Sequence, residues 1–501
     1  MTTGDSPIVD LLVVGGGING AGIARDAAGR GLSVVLCEKD DLAQGTSSRS
    51  GKYIHGGLRY LEYYEFRLVR EALTEREVLL KAAPHIIWPM RIVLPHSAEQ
   101  RPAWLVRLGL FLYDHLGKRN RLPGCRSVDL VRDPAGQAIQ PRFTRGFEYS
   151  DCWVDDARLV ILNAIDAAAR GAQILTHTPV VSARRHDGHW DIEVGSASGG
   201  RRRLRARVLV NAAGPWVEDV LNRVSGVNSR RRIRLVKGSH IVVPKFWAGP
   251  HAYLLQHTDR RVIFVNPYEE DLCLIGTTDI PYEGTPDDAA IDEHEIDYLL
   301  AAVNRYTRRQ LVRGDIRHFY SGVRPLYDDK AANPSAVTRD YVFDIDASPG
   351  TAPLLSVFGG KLTTYRKLAE HSLDKLAPYL AKLPPTWTAK AALPGGDLPG
   401  GDFELYVTEL ARSRPWLPPA LVRHYARLYG TRADHLLDGA KSMEALGANL
   451  GGLLYERELD YLVEHEWAKG AEDVLERRTK HGLHLDEIEK ARVADWMKRR
   501  Q

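Results

Sequence analysis

A chain of 501 residues, 44 % of them apolar, exceeds what one hydrophobic core organises and implies two or three domains. Its net charge of +4 is too small to mark a nucleic-acid-binding protein, and no apolar run is long enough to span a membrane. The polar N-terminus lacks the basic and long apolar regions of a secretory signal, and Cys37, Cys125, Cys152 and Cys273 show no metal-ligand or CxxC spacing. A cytoplasmic protein with reduced thiols and no metal is therefore expected.

The first unit reads strand, glycine turn, helix, strand. Residues 10–14 are a continuous apolar run suited to a buried parallel strand, residues 18–29 carry small residues at helical spacing, and residues 32–36 form the next strand. A helix is expected over 58–83, stopped by Pro84, and another over 154–170. Strands follow at 173–175 and 207–210. Short strands at 240–243, 262–265 and 272–276 predict a mostly antiparallel sheet. Residues 354–358 form one more apolar strand, which ends in Gly359 and Gly360 and leads into a helix from Leu362. The breaker-rich segment 394–401 (PGGDLPGG) reads as a linker to a separate helical unit. Arginine runs at 201–207 and 230–234 read as solvated strand faces.

Gly15-Gly16-Gly17-Ile18-Asn19-Gly20 satisfies GxGxxG, follows a strand, opens a helix, and precedes Glu38 at the end of the next strand. That context marks a dinucleotide site. Gly15 allows the tight turn, Gly17 the close approach of a pyrophosphate, and Gly20 the packing of helix on strand. The helix N-terminus offers free amides to the phosphates, and Glu38 suits ribose hydroxyls while repelling a 2′-phosphate. FAD is favoured over NAD by three features. They are the polar loop Thr46-Ser47-Ser48 leading to Lys52, His55, Gly56 and Gly57; the strand end Ala212-Ala213-Gly214; and Gly359-Gly360-Lys361 ahead of a late helix able to aim its dipole at a flavin.

The segments GGGINGAGIARDAAGRG (15–31), KYIHGGLRYLE (52–62), GFEYSDCWVDDAR (146–158), KGSHIVV (237–243), GTTD (276–279), SGVRPL (321–326) and FGGKLTTYR (358–366) resemble the FAD-dependent glycerol-3-phosphate dehydrogenases, the aerobic bacterial members above all. The resemblance spans nearly the whole chain. It implies an α/β fold with a Rossmann-like FAD-binding domain of the D-amino-acid-oxidase type (1–85, 150–230 and 320–385). It further implies an antiparallel β substrate domain (86–149 and 231–319) and an all-helical C-terminal domain (395–501). The activity implied is oxidation of sn-glycerol 3-phosphate to dihydroxyacetone phosphate. Electrons would pass to ubiquinone or another membrane quinone, in a homodimer. An oxidase producing hydrogen peroxide shares almost every motif and is the alternative.

By the same resemblance, Arg59, Tyr60, His240, Arg324, Arg339 and Lys361 would hold the substrate. Thr46, Ser47, Ser48, Lys52, His55, Gly56, Val180, Ala213, Gly214, Gly359, Gly360, Lys361, Leu362 and Thr363 would join Gly15, Gly17, Ile18, Asn19, Gly20 and Glu38 in binding FAD. Arg49, Tyr53 and Ala213 depart from the family pattern, which usually has a small residue, Leu and Thr there; all three fall in segments expected beside the flavin.

The chemistry fits these residue types. A phosphate dianion needs several fixed cations, and arginine donates two parallel hydrogen bonds to it. Removing the carbinol proton as hydride leaves calls for a base, for which His55 and His240 are the candidates; Arg324 could instead stabilise a developing alkoxide. The apolar segment 104–116 (WLVRLGLFLYDHL), flanked by Arg101, Arg107, Lys118, Arg119 and Arg121, has the make-up of an interfacial helix. Peripheral attachment to a lipid surface, the inner face of the cytoplasmic membrane, is therefore expected.

Overall fold

The computed structural model describes residues 7–500 except 118, 197–198, 228–230, 260, 329–339 and 381–382. Its first sheet is built around Ile8–Val14, which is hydrogen-bonded in parallel to Arg201–Asn211 on one side and to Val34–Cys37 on the other. Gln173–Leu175 extends the parallel set beyond Val34–Cys37, and Leu354–Phe358 extends it beyond Arg201–Asn211. Antiparallel additions complete the side beyond Arg201–Asn211: Val342–Asp346 on Leu354–Phe358, and the hairpin Val180–His186/His189–Gly195 on the start of Arg201–Asn211.

Alternation along Ile8–Val14 sends side chains into two cores. Leu11 and Val13 join Ile23, Ala24, Leu159 and Leu368, from the helices Ile18–Gly29, Asp156–Ala169 and Tyr365–Leu376. Leu12 and Val14 join Trp190, Ile192 and Leu209 on the opposite face. Burial on both faces explains why the strand is uniformly apolar.

The second sheet runs Ile280–Pro281, Ile233–Pro244, Leu272–Gly276, Val262–Tyr268, Ala252–Gln256, Ile87–His96, Arg145–Val154, Tyr53–Ile54. It is antiparallel throughout this path save for one parallel contact, Ala252–Gln256 on Ile87–His96. His318–Tyr327 pairs along ten positions with Ile233–Pro244. The division expected at 149/150 thus falls inside the strand Arg145–Val154, and that at 319/320 inside His318–Tyr327. Both strands belong wholly to the second sheet and run unbroken through these positions.

Residues 58–83 are two elements, not one helix. A 3₁₀ turn at Leu58–Tyr63 ends where Tyr64 takes φ +58°, and the α-helix occupies Phe66–Ala82. The helix expected from Leu362 begins as a 3₁₀ turn at Leu362–Thr364 and becomes α-helical at Tyr365.

The C-terminal unit has its own core, including Leu410, Leu421, Tyr425, Leu459 and Trp496, and contains one short hairpin, Asn449–Gly451/Leu454–Tyr455, among its helices. The breaker-rich segment before it is docked against the body. Leu393 donates its amide to the Ala82 carbonyl at 2.8 Å, and Cβ atoms on Gly395 and Gly396 would come within 2.1 Å of the Tyr429 and Ala82 carbonyl oxygens. Glycine is required there for close backbone approach rather than for flexibility.

Five arginines of the two runs meet acidic neighbours. Arg201 meets Glu193, Arg207 meets Asp10, and Arg231, Arg232 and Arg234 meet Asp344, Glu218 and Asp328. Arg230 lies outside the described residues.

Candidate active site

The glycine turn leaves the strand at Gly15, whose φ of +108° and 2.6 Å clearance from the Ala212 carbonyl oxygen admit no side chain. A Cβ on Gly20 would lie 1.9 Å from the Gly15 carbonyl oxygen, so helix and strand touch through backbone alone. Gly17 caps the helix in extended conformation without a side-chain bond, and the Ser47 hydroxyl accepts from the Ile18 amide at 3.0 Å. Ser47 thus satisfies a helix-end amide that a phosphate could take over. Glu38 accepts from the Gly16 amide at 2.6 Å and the Asp40 amide at 2.9 Å. Burial raises its pKa against the lowering pull of these amides.

From this turn a cavity of about 590 Å³ extends between the two sheets. The nucleotide-binding candidates Gly15, Gly17, Ile18, Asn19 and Glu38 line one part, with Thr46, Ser47, Val180, Ala213 and Gly214. His55, Arg59, Tyr60, His240 and Arg324 line another, with Gly359, Gly360, Lys361, Leu362 and Thr363. The fold therefore gathers segments more than 300 residues apart.

Four candidates sit elsewhere. Gly20 lies behind the turn, packed on Gly15. Gly56 is buried and donates its amide to the Tyr113 hydroxyl at 2.8 Å. Ser48 and Lys52 face a second cavity of about 330 Å³. Lys52 is an internal cation, its Nζ donating to Asp156 Oδ1 at 2.7 Å and to the Ser48 carbonyl at 3.1 Å. A buried ammonium needs such a counter-ion, and this one holds Lys52 away from the main cavity. Arg339 lies outside the described residues.

The cations of the main cavity differ in availability. Arg324 is already paired: Nη2 meets Asp279 Oδ1 at 2.6 Å and the Thr278 carbonyl at 2.8 Å. Arg59 makes no ion pair among the described residues. Lys361 Nζ is buried without a hydrogen-bond acceptor among the described residues and lies 4.0 Å from the centre of the Tyr60 ring. A buried ammonium with only an aromatic face beside it marks a place where an anionic ligand group belongs. Next to it, Gly360 (φ +104°) packs on Asn19. The Asn19 amide donates to the Gly359 carbonyl at 3.1 Å, while Asn19 Oδ1 is buried and unpartnered.

His240 stands on Ile233–Pro244 with its ring stacked on Tyr320, the centroids 4.8 Å apart. Both ring nitrogens are buried without partners among the described residues. Burial, helped by Lys52 and Arg324, pushes its pKa down to about 3, so the ring is neutral near pH 7. A dianion in the cavity would offset those cations and make the ring more basic. His55 hangs beside the Lys361 turn, its amide donating to Thr363 Oγ1 at 3.1 Å.

The model of the FAD dependent oxidoreductases matches residues 10–366. The chain belongs to this family. A model of the C-terminal domain of alpha-glycerophosphate oxidase matches residues 386–500. The chain is 64 % identical to the D-erythritol 1-phosphate dehydrogenase of Brucella abortus, over 97 % of each chain. It is 54 % identical to the aerobic glycerol-3-phosphate dehydrogenase of Escherichia coli K12, again over 97 % of each. The FAD-complexed glycerol-3-phosphate dehydrogenase of Bacillus halodurans superposes with a TM-score of 0.75 at 28 % identity, covering 98 % of this chain and 94 % of the other.

Membership of the FAD dependent oxidoreductases fixes the cofactor as FAD, and the cavity suits it. The Gly15–Gly20 turn leaves room for a pyrophosphate, Glu38 stands where a ribose binds, and Asn19 Oδ1, without a partner among the described residues, awaits a polar group. Of the three departures from the glycerol-3-phosphate pattern, Tyr53 and Ala213 line this cavity. Arg49 lines the second one and donates to the Ser321 carbonyl at 3.1 Å. Asp279, the counter-ion of Arg324, was given no role at the sequence level. Its motif GTTD is visible there, but its position opposite SGVRPL arises only when Leu272–Gly276 and His318–Tyr327 flank the same strand.

Proposed function

We propose that this chain oxidises a short polyol phosphate at the carbinol carbon next to the phosphate-bearing carbon. Glycerol 3-phosphate would give dihydroxyacetone phosphate. The observation that carries the reading is the buried Lys361 ammonium, without a hydrogen-bond partner among the described residues, in one cavity with Arg59, Arg324 and the nucleotide turn. Arg324, oriented by Asp279, binds the phosphate, and Lys361 and Arg59 add further positive groups to the pocket. When bound, FAD supplies the hydride acceptor and relays the electrons to a membrane quinone. His55 or His240 takes the hydroxyl proton. Replacing each by Asn tests this: unchanged single-turnover reduction in both variants would exclude a histidine base.

A substrate one carbon longer is a second reading, supported by the higher identity to the D-erythritol 1-phosphate dehydrogenase than to the glycerol-3-phosphate enzymes. Anaerobic titration of the yellow protein with glycerol 3-phosphate, D-erythritol 1-phosphate and unphosphorylated glycerol tests both. Bleaching by a phosphorylated polyol alone is expected, and no bleaching by either phosphate would overturn the proposal. Stoichiometric peroxide, with no reduction of a quinone analogue, would favour an oxidase.

Attachment to the inner face of the cytoplasmic membrane is supported by the helix Ala103–His115. Trp104, Leu108 and Phe111 are 69 %, 46 % and 50 % exposed at helical spacing. The adjoining turn adds exposed Tyr63 and Tyr64. Arg101, Arg107, Arg119 and Arg121 lie within or beside this helix in sequence, the composition an interfacial helix requires, and Lys118 lies outside the described residues. No described helix is long and apolar enough to cross a membrane.

A further inference from the structure

Tyr53 lines the main cavity, 7 % exposed, from the short strand Tyr53–Ile54. Its ring packs on Phe264 at a centroid distance of 4.6 Å and meets His55 edge-on at 6.3 Å. Its hydroxyl donates to Asn266 Oδ1, and the Asn266 amide donates to the Gly51 carbonyl at 3.2 Å. That second bond fixes which end of the amide faces the phenol. The phenol proton is therefore committed to Asn266, and its oxygen keeps only acceptor capacity for a ligand.

The order of groups along the cavity matters. Gly238 and His240 share one face of Ile233–Pro244, two positions apart. Arg324 fills the space over Gly238, where a Cβ would come within 2.7 Å of Nη2. Beyond His240 lies Gly51, whose Cβ position is 3.7 Å from His240 Nε2 and 3.8 Å from the Tyr53 ring. A cation, a candidate base and a phenol acceptor thus follow one another. A polyol phosphate with its phosphate toward Arg324 and its carbinol near His240 points its far end at Tyr53.

We propose that the Tyr53 hydroxyl, oriented by Asn266, accepts a hydrogen bond from a terminal hydroxyl that a four-carbon polyol phosphate has and glycerol 3-phosphate cannot place there. This rests on the polyol phosphate reading above and names its preferred member. The Tyr53 oxygen, its proton already spent on Asn266, keeps an acceptor site that the shorter substrate leaves unused, so that substrate is disfavoured at this end. Tyr53 is also one of the departures from the glycerol-3-phosphate pattern, where Leu is usual.

The test compares kcat/KM for D-erythritol 1-phosphate and glycerol 3-phosphate in the FAD-loaded protein and in Tyr53→Phe, which keeps the ring and removes the acceptor. The wild-type protein is expected to prefer the four-carbon substrate. Tyr53→Phe should lower that substrate's kcat/KM about tenfold while changing the three-carbon value less than twofold. Asn266→Leu, which releases the phenol proton, should narrow the same ratio with flavin content unchanged. Equal effects on both substrates, or an unaltered ratio in both variants, would overturn the proposal while leaving the polyol phosphate reading intact. A wild-type protein inert to both substrates would overturn the two together.

Discussion

Arg158 and Glu466 form a bidentate ion pair with no solvent exposure on either side chain: Nη2 donates to Oε1 at 2.9 Å and Nη1 donates to Oε2. The pair bolts the helix Asp156–Ala169 of the nucleotide-binding sheet to Glu456–Glu466 of the C-terminal unit. Arg477 and Arg478, both on Asp41, and Lys480 on Asp155 repeat the arrangement close by. Removing one partner leaves the other charged and buried. Glu466→Gln or Arg158→Met should therefore cost about 3–5 kcal/mol in denaturant unfolding. A loss below about 1 kcal/mol would mean the two units are held together by other contacts.

Lys361→Met should leave the yellow cofactor bound and weaken the phosphorylated substrate. A charge-assisted hydrogen bond contributes about 1.5–3 kcal/mol, so kcat/KM should fall by about 10- to 150-fold. Steady-state kinetics with flavin absorbance as the occupancy control measures this. An unchanged kcat/KM would remove Lys361 from the substrate site.

Gly20→Ala puts a methyl group 1.9 Å from the Gly15 carbonyl oxygen, which nothing short of moving the helix off the strand can relieve. The expected outcome is a protein purified colourless or with greatly reduced flavin content. Full flavin content at normal affinity would show that the turn is not the pyrophosphate seat.

Two buried histidines set a pH dependence. Burial, reinforced by Arg158 and Arg427 at His85 and by Lys52 and Arg324 at His240, pushes both pKa values down to about 3. Their folded pKa values lie below the unfolded value of 6.5, so the unfolded chain binds protons that the folded one refuses. The stability contribution is complete above 6.5 and is lost progressively as pH falls from there toward about 3. Near pH 5 the loss is on the order of 2 kcal/mol for each residue. Urea unfolding at about pH 7.5 and about pH 5 measures it, and His240→Asn should flatten the difference. A variant with the same pH slope as the wild type would contradict the assignment.

Trp104→Glu, Leu108→Glu and Phe111→Glu together should release the protein from vesicles containing anionic lipid, because they place charge on the exposed face of Ala103–His115. Flavin content should be unchanged, since these side chains are exposed and do not line the cavity. Undiminished sedimentation with vesicles would refute the lipid-docking reading.

The sequence by itself determined the nucleotide-binding unit. An apolar strand, GxGxxG, a small-residue helix and a terminal Glu38 are local signals, each legible because neighbours in the chain remain neighbours in space. The strands Leu272–Gly276 and Leu354–Phe358 and the separate C-terminal unit were legible for the same reason. What the tertiary structure decided is which distant groups meet. Lys52 stands in a motif beside His55, yet Asp156, 104 residues away, takes its charge. Asp279 neutralises Arg324 only because two strands flank a third, and Tyr53 gains a directional hydroxyl only because Asn266 lies opposite it. The segment 394–401 looked like a free linker until the backbones of Ala82 and Tyr429 closed on its glycines. Composition records that a group is polar, small or charged. Whether a charge is spent on a neighbour or left for a ligand depends on burial and partner distance, which exist only once the chain has folded.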